Sequence, residues 1–202
     1  MKTERLEKKD SRRVIEILNQ GGTVAFPTDT VYGLAVRYDL NEAIERMKKA
    51  KVRPESKPFP MMVFSKKQIQ QVAQTDERSE KLIDAWMPGA LTLIFNKKES
   101  ISDLVTNGFK TIGIRMPDDD FVLEIINRVG VPLLVSSANI SGEPSCVTDA
   151  EVLAQMDGRI DAIVMGEAGG NSPSTVCDTT QEELKILRQG PIRLEALNKS
   201  VE

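Results

Sequence analysis

The sequence predicts an α/β fold in which helices cover a mixed sheet. Strand-like and helix-like patterns alternate from one end of the 202-residue chain to the other, which is typical of a sheet with helices packed on it. Some connections between predicted strands are short, so part of the sheet must be antiparallel. Residues 131–136 form an almost continuous apolar run, as expected for a strand covered on both faces. No low-complexity linker divides the chain, so we expect a single domain over residues 1–202.

The helices are predicted from apolar residues that recur every three or four positions, and their ends from capping residues, glycine and proline. Asp10 or Ser11 is expected to begin the first helix, which Gly21-Gly22 ends. Asn41 is expected to cap a second helix, which Arg53-Pro54 breaks. The other predicted helices span residues 66–72, 77–86, 121–128 and 148–155.

The strands are predicted from short apolar runs that end at proline, glycine or polar residues. They span residues 23–26, 60–64, 91–95, 111–116, 131–136 and 162–165, with two short strands at 175–177 and 185–187.

Residue usage excludes several classes of chemistry. The net charge is −3 and the pI is near 5.3, so general attraction to nucleic acid or acidic membranes is not indicated. The chain has no histidine, which excludes a Ser-His-Asp or Cys-His mechanism and a histidine-containing zinc site. Cys146 and Cys177 are expected to be reduced thiols. The charged start and the lack of a run of about 20 apolar residues lead us to expect a cytoplasmic protein without membrane contact.

A cluster of cations lies between the second helix and the next strand. Lys51, Arg53 and Lys57 fall in a segment that Pro54 and Pro58 stiffen. Arginine offers a planar fork of donors and lysine a point charge, and both suit phosphate groups. The segment is therefore interpreted as a phosphate site or, alternatively, as the solvated end of a basic helix.

Polar residues follow two buried strands, at the positions where α/β folds place their ligands. Residues 27–34 include the run Thr28-Asp29-Thr30, which suits a small polar ligand or, alternatively, a capped turn into the next element. Residues 136–142 combine hydroxyls, small residues and the Asn139 carboxamide, which let a ligand approach the backbone. An ordinary Ser/Asn/Gly loop is the alternative there.

Two arginines stand next to predicted strand ends. Arg115 ends an apolar strand, and we expect it to pair either with a ligand carboxylate or with an internal acid among residues 118–120. Arg188 lies beside a turn late in the chain. The loop at 169–176 contains glycines and hydroxyls but lacks the Gly-Lys-Ser/Thr ending of a Walker A loop.

Taken together, these segments resemble the YrdC-type threonylcarbamoyl-AMP synthases. The resemblance covers a core of about residues 11–193 in the family's order, and its most specific mark is the pairing of KxR with SxN. The chain looks like the short, single-domain form of the family. The matching stretches are PTDTVYGL (27–34), KVRPESKP (51–58), MPGALTLIF (87–95), TIGIRMP (111–117), PLLVSSANISGEPS (132–145), PSTVCD (173–178) and RQGPI (188–192).

The resemblance implies a fold and a reaction. The fold would be a twisted mixed sheet with a concave, positively charged cavity. The enzyme, a nucleotidyltransferase, would convert L-threonine, bicarbonate and ATP into L-threonylcarbamoyl-AMP and pyrophosphate. Mg²⁺ is expected to arrive with ATP, without a metal site of the protein's own. The product would pass to a tRNA threonylcarbamoyl transferase complex.

The resemblance also implies residue roles by position. Lys51 and Arg53 would be catalytic. The implied ATP-binding residues are Arg53, Lys57, Thr111, Asn139, Thr148 and Arg188, and the implied threonine-binding residues are Thr30, Arg115, Ser137 and Ser174. A further position that contacts threonine in some members is Met61 or Met62 here.

Three other functions stay open at this point. A paralogue that has drifted in activity can keep both motifs, whereas the carbamoyl-transferring domains of hydrogenase maturation proteins carry zinc-finger-like cysteines that this chain lacks. A non-catalytic RNA-binding module is the second alternative. The net charge of −3 and 4 % aromatic residues argue against strong RNA binding and leave weak binding open. The third, a plain nucleotide-binding regulator, would bind ATP without threonine-dependent turnover.

Overall fold

The strands of the described residues form one mixed sheet. The computed structural model describes residues 2–52 and 58–202. The strands in this part of the chain are β1 (Glu4–Leu6), β2 (Val24–Phe26), β3 (Gly33–Arg37), β4 (Met61–Met62), β5 (Leu91–Asn96), β6 (Thr111–Arg115), β7 (Leu133–Ser137), β8 (Ala162–Val164), β9 (Thr175–Asp178) and β10 (Lys185–Arg188). They lie in the order β1-β8-β2-β3-β7-β4-β6-β5-β9-β10. Parallel and antiparallel neighbours are interspersed, which confirms the predicted mixed sheet.

Helices cover both faces of the sheet. They are α1 (Ser11–Asn19), α2 (Asn41–Lys51), α3 (Lys66–Val72), α4 (Glu77–Trp86), α5 (Asp103–Thr106), α6 (Asp120–Val129), α7 (Asp149–Met156) and α8 (Leu194–Lys199). Apart from α1 and α6, these helices contribute their buried apolar residues to one large core on one face of the sheet. None of the described helices has both the length and the apolar character needed to cross a bilayer.

The described helices cover only half of the width of the second face. Helices α1 and α6 bury residues such as Val14 and Ile125 in a smaller core, together with Ala35 of β3 and Val135 of β7. Among the described residues, strands β5, β6, β9 and β10 contribute nothing to that core. The side chains of these four strands on this face therefore border open space, and this half of the sheet holds the candidate site.

Four elements were not predicted from the sequence: β1, β3, α5 and α8. Strand β3 begins at the end of the polar segment 27–34 and continues beyond it, and its residues are buried on both faces, so it lacks the alternation that marks a half-exposed strand. The predicted cap of α2 was also wrong by one residue. Leu40 holds the capping position and its carbonyl accepts from the Ala43 N–H at 3.0 Å, while Asn41 is the first helical residue.

Candidate functional site

A cavity of about 290 Å³ lies on the uncovered half of the sheet. Its size is close to the lower end of the range for small-molecule sites. The described residues that line it include two arginines, Arg115 and Arg188, and no acidic residue. The cavity is therefore positively charged, as the resemblance implied.

One line of side chains crosses the cavity from strand to strand. Met62 of β4 pairs with Arg115 of β6, and Thr92 of β5 pairs with Val176 of β9. Because β5 and β6 are antiparallel and Leu93 pairs with Ile114, the residue before Leu93, Thr92, is opposite the residue after Ile114, Arg115. Arg188 of β10 pairs with Val176. All five members, which we call the cross-strand row, line the cavity: Met62, Arg115, Thr92, Val176 and Arg188.

Two glycines line the cavity at points where a side chain would crowd its neighbours. Gly33 and Gly113 both line it. A Cβ on Gly33 would come within 2.7 Å of Val135 Cγ1, and one on Gly113 within 3.1 Å of Ile94 Cδ1. At these two points the cavity is lined by glycine, with no side chain.

Arg115 is a buried cation that three different segments hold in one orientation. Its exposed fraction is 5 %. Nε donates to the Gly89 carbonyl at 3.0 Å, Nη1 to Thr30 Oγ1 at 2.7 Å, and Nη2 to Asp29 Oδ1 at 2.7 Å. An internal acid was one of the two predicted partners, but it is Asp29 and none of the three acids at 118–120. These contacts use three of the five N–H groups of the guanidinium, so one on each terminal nitrogen remains for a ligand.

The hydroxyl of Thr30 adds a third donor beside this guanidinium. Thr30 Oγ1 accepts from Arg115, so its proton can go only to Thr28 Oγ1, at 3.1 Å, or to a ligand. Thr28 Oγ1 already donates to the Val31 carbonyl at 2.8 Å and accepts from the Thr30 N–H at 3.1 Å. The Thr30 proton therefore goes to Thr28 Oγ1 unless a ligand accepts it, and the two spare N–H groups of Arg115 are donors of the kind that a carboxylate needs.

Arg188 occupies the other end of the cross-strand row. Its Nη2 donates to the Ser174 carbonyl at 2.8 Å and to Ser174 Oγ at 3.1 Å, and its Nε to the same carbonyl at 3.1 Å. No carboxylate of the described residues pairs with it, in contrast to Arg115. Burial, and next the charge of Arg115, lower the pKa of Arg188. Burial likewise lowers the pKa of Arg115, against the opposing effect of Asp29. Both cations would be stabilised by an anion in the cavity.

Glycines in two loops pack closely against the backbone of the segments that carry Thr30 and Ser174. The Gly169 N–H donates to the Thr28 carbonyl at 2.7 Å, and a Cβ on Gly170 would lie 2.9 Å from the Thr30 carbonyl oxygen. Gly190 approaches the backbone of Ser174 and Thr175 so closely that any side chain there would collide with it. The loop at 169–176, which was uninformative alone, thus has a supporting role in the fold of the site.

Lys51 is buried behind the turn that follows β7. Its exposed fraction is 1 %, and its Nζ donates to the Ser137 carbonyl and, at 2.7 Å, to the Asn139 carbonyl. The alternative of a solvated helix end is therefore wrong for Lys51. Arg53 and Lys57, the other cations of this cluster, lie outside the described residues.

Asn139 carries an acceptor that has no partner among the described residues. Its Nδ2 donates to the carbonyls of Ile140 at 2.9 Å and Glu143 at 2.7 Å, which fixes the orientation of the amide. The buried Oδ1 contacts no donor in the described part of the chain. A buried acceptor without a partner is unfavourable, so a ligand donor here would stabilise the site.

The structure brings together some of the predicted site residues and not others. Thr30, Arg115, Ser137, Ser174 and Arg188 line the cavity, and so does Met62, whereas Met61 is in the core.

Three predicted nucleotide contacts lie outside that lining: Thr111, Asn139 and Thr148. Thr111, by alternation, is on the same face of β6 as Arg115 but at the far end of the strand. Thr148 caps α7, where its side chain accepts from the Glu151 N–H at 3.3 Å. The nucleotide roles of all three residues stay predictions.

Sequence reasoning assigned no role to Asp29 or Thr92. Asp29 was noted only as part of a polar run. Thr92 alternates with Leu91 and Leu93, which are both in the core, and that alternation was the available signal that it points to the other face.

Comparison with known proteins shows the family. Residues 16–190 match the Sua5/YciO/YrdC family model, which carries the description "Telomere recombination". The chain belongs to this family.

Relatives in the Sua5/YciO/YrdC family resemble the chain over most of its length. A threonylcarbamoyl-AMP synthase from Pyrococcus abyssi is 34 % identical over 200 residues, which cover 98 % of this chain and 59 % of the relative. One from Vibrio campbellii is 34 % identical over 187 residues, which cover 90 % of this chain and 100 % of the relative. The crystal structure of P. abyssi Sua5 complexed with L-threonine has a TM-score of 0.90 at 33 % identity and covers 100 % of this chain and 61 % of that protein. The chain thus spans about three fifths of the Pyrococcus protein.

Proposed function

We propose that this member of the Sua5/YciO/YrdC family is an L-threonylcarbamoyladenylate synthase, a nucleotidyltransferase. It would convert L-threonine, bicarbonate and ATP into L-threonylcarbamoyl-AMP and pyrophosphate. The observation that carries the proposal is the clamped Arg115 guanidinium, with its spare donors, in a cavity that has a second arginine and no acid among the described lining residues. Relatives with this activity in their names, and one solved with L-threonine, support it.

The amino-acid carboxylate would bind at the Arg115 end of the cross-strand row. Two N–H groups of Arg115 and the hydroxyl of Thr30 supply donors in a fixed arrangement. Because Asp29 and Gly89 already fix the guanidinium, little side-chain entropy would be lost on binding. Ser137 and Ser174 would line the rest of this subsite.

The nucleotide would occupy the side of the cavity near Arg188 and the turn after β7. Among the described residues, Arg188 has no carboxylate partner and the buried Asn139 Oδ1 has no donor, so one offers positive charge and the other an acceptor. The roles of Arg53, Lys57, Thr111 and Thr148 toward ATP are carried over with the proposal. Lys51 would act mainly through the turn it holds, since its Nζ donates to two carbonyls there.

The chemistry needs positioning and neutralisation of charge more than a protein nucleophile. The threonine amine and bicarbonate would form a carbamate with loss of water. A carbamate oxygen would then attack the α-phosphorus of ATP, and pyrophosphate would leave. Fixed cations in a partly closed cavity stabilise the charge that develops on the phosphates. This accounts for a reaction that runs in a chain without histidine.

We propose that ATP enters as its magnesium complex. Mg²⁺ prefers oxygen ligands and usually keeps several waters. The described cavity lining offers arginines and hydroxyls but no carboxylate, so the phosphates of ATP, rather than the protein, would hold the ion.

The product, L-threonylcarbamoyl-AMP, is a mixed anhydride that water can hydrolyse, so a second enzyme must take up its activated acyl group before hydrolysis occurs. We propose, by the family resemblance, that this acceptor is a tRNA threonylcarbamoyl transferase complex. Weak RNA binding by the positive cavity is a further element of the proposal.

The experiment is pyrophosphate release from ATP, measured with and without L-threonine and with and without bicarbonate. Release that needs both substrates, and that stops when Mg²⁺ is chelated, is the expected result. ATP binding without threonine-dependent release would replace the synthase by a nucleotide-binding paralogue.

A further inference from the structure

We propose that Thr92, acting with Ser174, recognises the side-chain hydroxyl of the amino-acid substrate and thereby selects a β-hydroxy amino acid. This inference rests on the proposed function, because it concerns the subsite where threonine would bind. Thr92 has an exposed fraction of 4 % and lines the cavity.

The position of Thr92 follows from the register of the sheet. Leu93 pairs with Ile114, so Thr92 is the cross-strand neighbour of Arg115, on the same face. Such neighbours have Cβ atoms about 5 Å apart. In an α-amino acid, Cβ lies roughly 2.5 Å from the carboxyl carbon, as covalent geometry requires. A substrate whose carboxylate binds Arg115 can therefore place its β-hydroxyl beside the next strand, where Thr92 lies.

The hydroxyls of Thr92 and Ser174 can together offer a substrate hydroxyl both a donor and an acceptor. Thr92 Oγ1 and Ser174 Oγ are 2.8 Å apart, and either can be the donor. Ser174 Oγ also accepts from Arg188 Nη2 at 3.1 Å. One proton of the pair is used between the two oxygens, so one proton and at least one lone pair remain for a ligand. A substrate hydroxyl, which both donates and accepts, satisfies both, whereas a methyl group in its place satisfies neither.

The surroundings of Thr92 suit the methyl group of threonine as well. Thr92 Cγ2 and Ile94 Cδ1 lie 3.4 and 3.1 Å from the position that a Cβ on Gly113 would take. These two methyl groups form an apolar wall of the cavity beside Gly113. A site that binds a substrate hydroxyl discriminates strongly against analogues that lack it, while a missing methyl group reduces the rate by only about 10- to 200-fold. We expect the order threonine, then serine, then valine.

The test compares L-threonine, L-serine and L-valine in wild type and two variants. Thr92→Val removes the hydroxyl at nearly constant shape, and Thr92→Ser retains it. A matched control is Thr106→Val, which deletes a buried hydroxyl that donates to the Phe109 carbonyl outside the described cavity lining. Pyrophosphate release gives kcat/KM for each amino acid, and calorimetry gives the amino-acid affinity independently of turnover.

Thr92→Val should lower kcat/KM for threonine by about 10- to 100-fold, as expected for a lost buried hydrogen bond, and reduce the threonine-to-valine ratio by a similar factor. The KM for ATP should stay within about threefold, and Thr92→Ser and Thr106→Val should keep the wild-type ratio. An unchanged threonine-to-valine ratio in Thr92→Val, beside an active wild type, would overturn this inference alone. A wild type that neither binds nor turns over threonine would overturn the proposed function and this inference with it.

Discussion

The cross-strand row contains two arginines, with Thr92 and Val176 between them, and the protein holds the two in different ways. Arg115 has three partners from three segments, one of them the Asp29 carboxylate at 2.7 Å. Arg188 has one partner residue, Ser174, in the described part of the chain, and that partner is neutral.

The difference indicates different tasks for the two cations. A guanidinium with its charge compensated and its orientation fixed can define where a carboxylate sits, but it contributes little net charge. A guanidinium without a carboxylate partner contributes charge and can adapt to a flexible polyphosphate. We therefore expect Arg115 to set the orientation of the amino acid and Arg188 to act on the nucleotide side.

The largest expected effect is that of Arg115→Ala. The substitution removes the binding site for the substrate carboxylate. It also leaves the partly buried Asp29 without its cation, and removal of one partner from a buried ion pair typically costs about 3–5 kcal/mol. We expect the KM for threonine to rise at least about 100-fold, because charge-assisted hydrogen bonds are lost, and the free energy of unfolding to fall. Substrate titration and urea unfolding measure the two effects.

Arg37→Ala is the matched control, since it breaks the more exposed Arg37–Asp39 pair. If Arg115→Ala raised the KM for ATP more than that for threonine, the assignment of the two ends would be reversed.

Lys51→Ala tests a second buried cation, which contacts carbonyls and lies outside the described cavity lining. Because Nζ holds the Ser137 and Asn139 carbonyls, we expect a loss of about 2–3 kcal/mol in the free energy of unfolding, typical of hydrogen bonds to charged groups. Thermal and urea unfolding measure it. The exposed Lys49→Ala, two residues earlier on α2, is the control, and equal stability of the two variants would refute this role.

Asp29 provides a way to separate orientation from charge at the Arg115 end. Asp29→Ala removes the acceptor for Nη2, whereas Asp29→Asn keeps an oxygen acceptor and removes the charge. If orientation dominates, the alanine variant should raise the KM for threonine by about 10- to 100-fold, and the asparagine variant should stay much closer to wild type. Equal losses in both would show that charge balance, rather than orientation, is what Asp29 supplies.

Arg188→Ala should have the smallest effect on stability. The pKa of Arg188 is lowered by burial and by Arg115, so its removal relieves repulsion and leaves no described carboxylate without a partner. We expect the free energy of unfolding to change by less than about 1 kcal/mol, and the KM for ATP to rise about 10-fold. A large loss of stability would contradict the idea that this cation lacks compensation.

Much of the fold was readable from local pattern. Helices with a clear apolar stripe, such as α3 and α4, were predicted with the observed bounds. Strand β3 was missed because it is buried on both faces, so no alternation of apolar and polar residues marks it. The two-residue β4 was predicted as a strand of five because a sequence cannot show where pairing ends.

The site was predictable only as a set of strand ends. Arg115 was correctly singled out as a strand-end cation, yet its partner Asp29 is 86 residues away, and only the sheet order brings them together. Thr92 was overlooked because a single threonine in an apolar strand has no distinguishing local feature. Its neighbourhood, with Arg115 on one side and Ser174 on the other, arises from register across three strands.

The most direct test of the central claim is to identify the nucleotide product by mass spectrometry after turnover with ¹³C-labelled bicarbonate. The account predicts an adduct of threonine and AMP that contains one added carboxyl carbon and carries the label. An unlabelled threonyl-AMP, or AMP with no adduct when the reaction is quenched rapidly, would contradict it.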